Sequence, residues 1–280
     1  MQYENPEIPE GINVTPEHHL KEFAVLVGGA LALILAIVLL LGWLAESIAA
    51  HIPFSYEQEI AGDLGGDTPV DATQVAIERA LQTLADGLVA HMQLPSEMRI
   101  HVHYVDDADT VNAFATLGGN VIVFRGLLEQ MPSENALAMV MAHEITHVQH
   151  RDPIVSLGRG VVVGLALAAI AGVSGGDLTD SVFGSAGTLT ALSFNRAQES
   201  AADASAVATL AAYYGHVNGA AAVFDLFARL EAEQPLQPPA FMASHPDSGD
   251  RSTSIAAQAH AHGWPLTGEL TPVPEALRLQ

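Results

Sequence analysis

The most regular feature of the hydropathy pattern is an unbroken apolar run at residues 23–44 (FAVLVGGALALILAIVLLLGWL), which carries no charged side chain. As a helix rising about 1.5 Å per residue, some twenty such residues cross a hydrocarbon core of about 30 Å. A cleaved signal peptide has a basic start and a shorter apolar stretch, whereas acidic and polar residues come first here. A helix buried in a globular core is the other alternative. The pattern favours a retained transmembrane anchor over residues 23–45, preceded by a flexible acidic tail (1–22) and followed by a linker (46–70) that ends in turn-rich GDLGGDTP.

Beyond residue 70 the periodicity becomes that of a folded domain. Val75, Ala76, Ala80, Leu81, Leu84, Leu88 and Val89 recur at helical spacing behind a capping Asp71 or Thr73, predicting a helix to about Met92. Residues 98–105 alternate as a strand, with Ile100, Val102 and Tyr104 on one face and His101 and His103 on the other. Residues 111–117 and 120–124 flank Gly118-Gly119 and read as a β-hairpin. Ser133 caps a helix running to about His150, with Leu137, Val140 and Met141 as packing positions. A second apolar stretch, 161–173, is short for a crossing and reads as a buried or membrane-grazing helix. An alanine-rich helix over 188–213 closes at Gly215, another covers 216–230, and 234–239 form a proline-rich loop. Several helices around one small antiparallel sheet make an α+β, mainly helical domain at 71–263, with a C-terminal tail at 264–280.

Charge and composition narrow the partners. With 32 acidic against 10 basic residues the formal charge is −22, which repels phosphate backbones and argues against nucleic acid. There is no cysteine, so disulfide frameworks and thiolate metal sites are excluded. Lys21, the only lysine, stands just before the apolar run, and the next basic residue after it is Arg79. The positive-inside rule then places the N-terminus in the cytoplasm and the rest on the extracytoplasmic, periplasmic side.

The candidate chemistry lies on the Ser133 helix. His143 and His147 are four residues apart, so both imidazoles lie on one helix face and can reach a single ion, and Glu144 stands beside them as a proton acceptor for water. A catalytic zinc takes three protein ligands and keeps one position open. Glu199 and Asp203, four apart in NRAQESAADA, fit a third ligand and the acceptor for a ligating histidine's distal N–H. A solvated acidic pair is the plain alternative, and His150, on roughly the face of His143 and His147, is an alternative ligand. His245 is a candidate oxyanion donor, with Arg251 orienting its loop; alternatively it closes the metal's open position as a latch, or only caps a turn before Pro246. Strand residues Asn120, Val121 and Ile122 offer an edge for an extended substrate, unless another part of the chain covers that edge.

MAHEITHVQHRDP followed some fifty residues later by FNRAQESAAD resembles the HtpX-like and CAAX-prenyl-protease-type family of zinc metalloendopeptidases, gluzincins that pair His-Glu-x-x-His with a later Glu-x-x-x-Asp. Asn112-Ala113-Phe114 through Gly118-Gly119 to Leu128, and Ser244-His245-Pro246 with Arg251, resemble further family elements. The resemblance covers roughly residues 70 to 260. It implies a zincin-type domain with one Zn2+ per chain, held by His143, His147 and Glu199, with Glu144 as general base. Multi-span prenyl proteases enclose their site in many membrane helices; this chain has one expected span and is more similar to single-anchor members. The expected function is a single-pass, membrane-anchored endopeptidase that hydrolyses peptide bonds with zinc-activated water. Its expected substrates are misfolded or membrane and envelope polypeptides, in protein quality control. The rivals are a non-proteolytic chaperone-like or binding module with a structural metal, and a zinc hydrolase of small molecules.

Overall fold

The computed structural model of the protein describes residues 18–49, 51–62, 71–171, 194–233, 239–245 and 251–278. The apolar run forms most of one helix, α1 (His19–Ala49), long enough to cross a membrane and with none of its most apolar window buried. Leu35 and Leu39 are 59% and 65% exposed. A core helix would hide such side chains, so burial inside the protein does not account for this one. Within the segment read as linker a short helix, α2 (Phe54–Ala61), tucks Phe54 and Glu57 against the domain. The GDLGGDTP turn lies outside the described residues apart from Gly62, as do most of the acidic tail and the proline-rich loop.

The domain begins with α3 (Ala72–Val89), at the expected place but capped at Asp71 without a side-chain hydrogen bond. β1 (His101–Val105), β2 (Ala113–Ala115) and β3 (Asn120–Phe124) form the sheet. Its order is β1-β3-β2, antiparallel between β2 and β3 but parallel between β1 and β3. The expected α+β class holds, and the sheet is mixed rather than antiparallel. The tight turn at Gly118-Gly119 dictates only the β2–β3 pairing. β1, joined to β2 by a longer loop, pairs on the far side of β3, where the polypeptide direction matches.

β3 leads into α4 (Arg125–Gln130), and Ser133 then starts α5 (Glu134–His150) with its Oγ accepting from the Ala136 N–H at 3.2 Å. Fourteen residues of α5 are buried, from Asn135 through Val148, so it is the axis of the core rather than a one-sided surface helix. Its C-terminus closes at Arg151 in the left-handed region (φ 64°), and α6 (Asp152–Ala171) departs at once. The expected apolar helix at 161–173 is thus the far part of α6 as far as Ala171.

α7 (Arg196–Tyr214) packs along α5. It starts in a capping box, with the Asn195 side chain accepting from the Ala197 and Gln198 N–H groups and Gln198 returning a bond to the Asn195 N–H, and it ends at Gly215 (φ 77°). Residues 188–193, expected in this helix, lie outside the described residues. α8 (Ala220–Glu233), the short α9 (Ala240–Ser244) and α10 (Arg251–His262) complete the helices described. The C-terminal segment then returns to the start of α5: the Glu134 N–H donates to Thr271 O at 2.9 Å, the Thr271 N–H to Asn135 Oδ1 at 2.8 Å, and Leu277 is buried.

Candidate metal centre

Four donor side chains converge from three places. α5 supplies His143 and His147, α7 supplies Glu199, and the residue after α9 supplies His245; their donor atoms all lie within 4.8 Å of one another. The two Nε2 atoms of the helix pair are 3.0 Å apart. Glu199 Oε2 lies 3.4 Å from His143 Nε2, and Glu199 Oε1 lies 3.4 Å from His147 Nε2. His245 Nδ1 is 3.2 Å from His143 Nε2 and 3.0 Å from Glu199 Oε1. Nitrogen and oxygen donors arranged tetrahedrally around zinc are about 3.3 Å apart, given bonds of about 2.0–2.1 Å. The donor set therefore fits zinc in spacing as well as in type.

Charge supports the same conclusion. Glu144, Glu199 and Asp203 are three buried carboxylates, and Arg251 is the permanent cation among them. Glu199 Oε2 and Glu144 Oε1 have no hydrogen-bond partner. Orphaned buried carboxylate oxygens are costly unless a cation faces them. Burial pushes the Glu199 carboxyl up, but His143, His147 and His245 together hold it well below the usual carboxylate range. Burial also pushes the His143 imidazole down, but Asp203 and Glu199 outweigh it and raise the group to about 9.

The imidazoles are braced from behind. His143 Nδ1 contacts Asp203 Oδ1 at 3.0 Å, and Asp203 in turn accepts from Arg251, whose Nε reaches Oδ2 at 2.7 Å and whose Nη2 reaches Oδ1. His147 Nδ1 contacts Asp152 Oδ2 at 2.8 Å, and Asp152 Oδ1 accepts from Gln198 Nε2 at 2.6 Å. With an Nδ1–H held by a carboxylate, each ring, on releasing its other proton, would present an Nε2 lone pair to an ion bound between them. Phe194 stacks on His147, ring centroids 3.9 Å apart. Sequence reasoning did not find Asp152, Gln198 or Phe194. Asp152, five residues after His147, was there to be found by asking what would hold the second histidine as Asp203 holds the first.

Glu144 is fully buried. Its Oε2 accepts the Ala115 N–H at 2.8 Å, while Oε1 lies 3.4 Å from His245 Nε2. Burial raises this carboxyl above the usual range, against the opposing pull of His245 and His143. Arg251 is brought in as expected, but it holds Asp203 rather than the His245 loop, and its guanidinium covers the Phe224 ring at 4.2 Å. His150 is exposed and takes no part in the cluster.

The strand expected to take substrate is corrected. Asn120, Val121 and Ile122 belong to β3, which is bonded on both sides, so no edge is free there. The Asn120 side chain instead binds His103 Nε2 at 2.8 Å and donates to Leu117 O. The edge near the metal centre is β2, where the Ala115 N–H donates to Glu144; α9 packs beside that strand, and its Phe241 N–H reaches Val111 O, two residues before β2, at 3.4 Å.

A His-Glu-x-x-His helix facing a glutamate from a second helix defines a zincin-type metallopeptidase centre. The sequence profile of peptidase family M48 matches residues 71–259, and the chain belongs to that family, whose members use zinc. The chain is 32% identical over 170 residues to the mitochondrial metalloendopeptidase OMA1 of Schizosaccharomyces pombe, covering 57% of this chain and 47% of that protein. It is 40% identical over 72 residues to the beta-barrel assembly-enhancing protease of Yersinia pestis, covering 25% and 14%. It is 39% identical over 75 residues to a protease HtpX homolog of Methylibium petroleiphilum, covering 25% and 26%. The matched stretches span less than half the length of each of these relatives.

Proposed function

We propose that this chain is a membrane-anchored zinc endopeptidase in which His143, His147 and Glu199 hold the ion, Glu144 moves the proton and His245 closes the site at rest. The observation that carries the reading is the cluster of four buried donors beside a buried carboxylate whose Oε1 takes no hydrogen bond and faces His245 Nε2 at 3.4 Å. A purely structural metal site has no use for that free oxygen. When bound, zinc supplies Lewis acidity that polarises a carbonyl and lowers the pKa of water towards about 7. Glu144 is anchored through Oε2 by the Ala115 amide, which leaves Oε1 to accept a proton from water and return it to the leaving amine. Asp203 and Asp152 keep the ligating rings oriented; burial pushes the Asp203 carboxyl up, but His143 and Arg251 hold it below the usual range.

His245 is a latch in this reading. Its Nδ1 stands among the candidate ligand atoms, and its segment (239–245) packs beside β2 and bonds through the Phe241 N–H to Val111 O, just before that strand. His143, His147, Glu199 and His245 are all essentially inaccessible. A polypeptide running along β2 would therefore displace this segment and His245 together. Two features support an anchored enzyme whose domain faces the extracytoplasmic side: the exposed apolar α1, and Lys21 before the span. A relative named for enhancing beta-barrel assembly supports a role in membrane or envelope protein quality control, and misfolded or membrane polypeptides are the substrates such a role would supply.

The decisive experiment is Glu144→Gln in the full chain, assayed on unfolded casein with and without chelator. Chelator-sensitive cleavage by the parent, a loss of about 100-fold or more in the variant and an undiminished zinc content support the assignment. Unchanged turnover in the variant disposes of it.

A further inference from the structure

The helix after the active-site helix lies along the anchor, and three observations set the register. Ile154 of α6 and Ala49 of α1 share a small apolar cluster. A Cβ on Gly158 would stand 3.4 Å from the Cβ of Ala45. Arg159 reaches Glu46 Oε1 through Nη2 at 2.6 Å and Nε at 3.1 Å. Positions rise in α6 as they fall in α1, so the two helices are antiparallel. At a common helical rise, Ala171 comes level with roughly position 32 of α1, well inside the apolar run.

The charge pattern marks the same boundary on both helices. Beyond the Glu46–Arg159 pair, α1 has no charge back to residue 23, and α6 has none from 160 to 171. The pair itself is partly exposed, at 42% and 31% of its side-chain surface, as suits a headgroup level. The twelve residues 160–171 extend about 18 Å, more than half of a hydrocarbon core of about 30 Å.

We infer that α6 enters the bilayer beside α1, so that the metal centre stands at the membrane surface and its substrates are the juxtamembrane stretches of membrane-anchored polypeptides. The inference rests on the reading of α1 as a membrane span. No linker separates chemistry from lipid: Asp152, the first residue of α6, braces His147. From Asp152 to Arg159 is seven residues, about 10 Å along the helix. A free-floating domain on a flexible tether would reach substrates at many heights, whereas this one is held at a single height by two helices.

The chain has no cysteine, so single introduced cysteines are unique labelling sites. Leu35→Cys in α1, Leu165→Cys, Ala166→Cys, Leu167→Cys and Ala168→Cys in α6, and Ser254→Cys in α10 are each labelled with a fluorophore. The full-length variants are reconstituted in phosphatidylcholine vesicles with or without acyl-chain nitroxide lipid, and zinc content and helical circular dichroism verify the fold. Emission is expected to be lost at Leu35 and at two or more of the four α6 positions, which span a helical turn, and retained at Ser254. Loss at Leu35 with fewer than two α6 positions quenched overturns the inference and leaves the anchor standing. A bright label at Leu35 overturns the span and this inference with it. The substrate half is tested with casein segments anchored in the same vesicles through spacers of increasing length. Cleavage is expected to decline as the casein moves outward, and a flat response overturns that half.

Discussion

Replacing Asp203 with Asn separates the two tasks assigned to this carboxylate. The variant keeps the side-chain shape and an oxygen acceptor for His143 Nδ1, now 3.0 Å from Asp203 Oδ1, but removes the charge paired with Arg251. Arg251 is 6% exposed, so it cannot turn to water. Stranding one member of a buried pair costs about 3–5 kcal/mol, and the lower end applies here because Glu199 Oε2 remains 3.7 Å from Arg251 Nη2 as a counter-charge. Loosening a carboxylate that orients a ligating imidazole weakens metal binding by about 10–100-fold, or about 1.4–2.7 kcal/mol. Denaturant unfolding of the chelated protein measures the first effect, and zinc competition against a chromophoric chelator the second. The double variant Asp203→Asn with Arg251→Met removes the stranded charge, so it should recover most of the stability and little of the zinc affinity. Zinc affinity within twofold of the parent in Asp203→Asn would refute the bracing role, and recovery of both quantities in the double variant would show that Arg251 alone was responsible.

Other expectations follow from the same geometry. Asp152→Asn should lower zinc affinity by about 10-fold or more, because it loosens His147 as Asp203→Asn loosens His143; an unchanged chelator titration contradicts this. His245→Ala should raise casein turnover while zinc stays bound, because three ligands remain; a fall in turnover assigns His245 to transition-state support. Gly119→Ala should cost about 2–4 kcal/mol, since its φ is 86° and a Cβ would stand 2.0 Å from Arg99 O; thermal unfolding reads this, and a variant as stable as the parent contradicts the turn geometry.

What was legible in the chain was what short-range arithmetic can encode. Ser133 as a cap, Gly215 as a stop and glycines at the β2–β3 turn are local signals, and each element stands where its signal lies. α2 was missed because its buried Glu57 is explained only by remote partners, Arg151 and the Gly118 N–H. α10 was missed for a related reason. Its buried stripe is Arg251, Ile255 and Ala259, so its inward face opens on a charge made tolerable by carboxylates remote in sequence, Asp203 foremost and Glu199 beside it. β3 carries a further signal: Val121 to Phe124 is continuously apolar, the mark of a strand covered on both faces, as a central strand is, and Val121 to Val123 are buried.

The metal centre divides along the same line. His143, Glu144 and His147, like Glu199 and Asp203, are related by helical spacing, so each pair can be placed before the fold is known. Which pairs meet, and what braces them, is tertiary. Asp152 does not share a helix with His147: the left-handed Arg151 ends α5 and lets the chain bend, and that bend turns Asp152 back onto the imidazole. The same bend sets α6 on its path along α1. A residue with a positive φ and a large side chain persists only where its surroundings hold it. Here the Arg151 Nε and Nη2 bonds to Glu57 Oε1 and Ile52 O hold it, at 2.5 and 2.8 Å. The segment after α1 therefore clamps the corner that places Asp152 behind His147, a link between the N-terminal helix and the site that adds to the packing of α6 along α1.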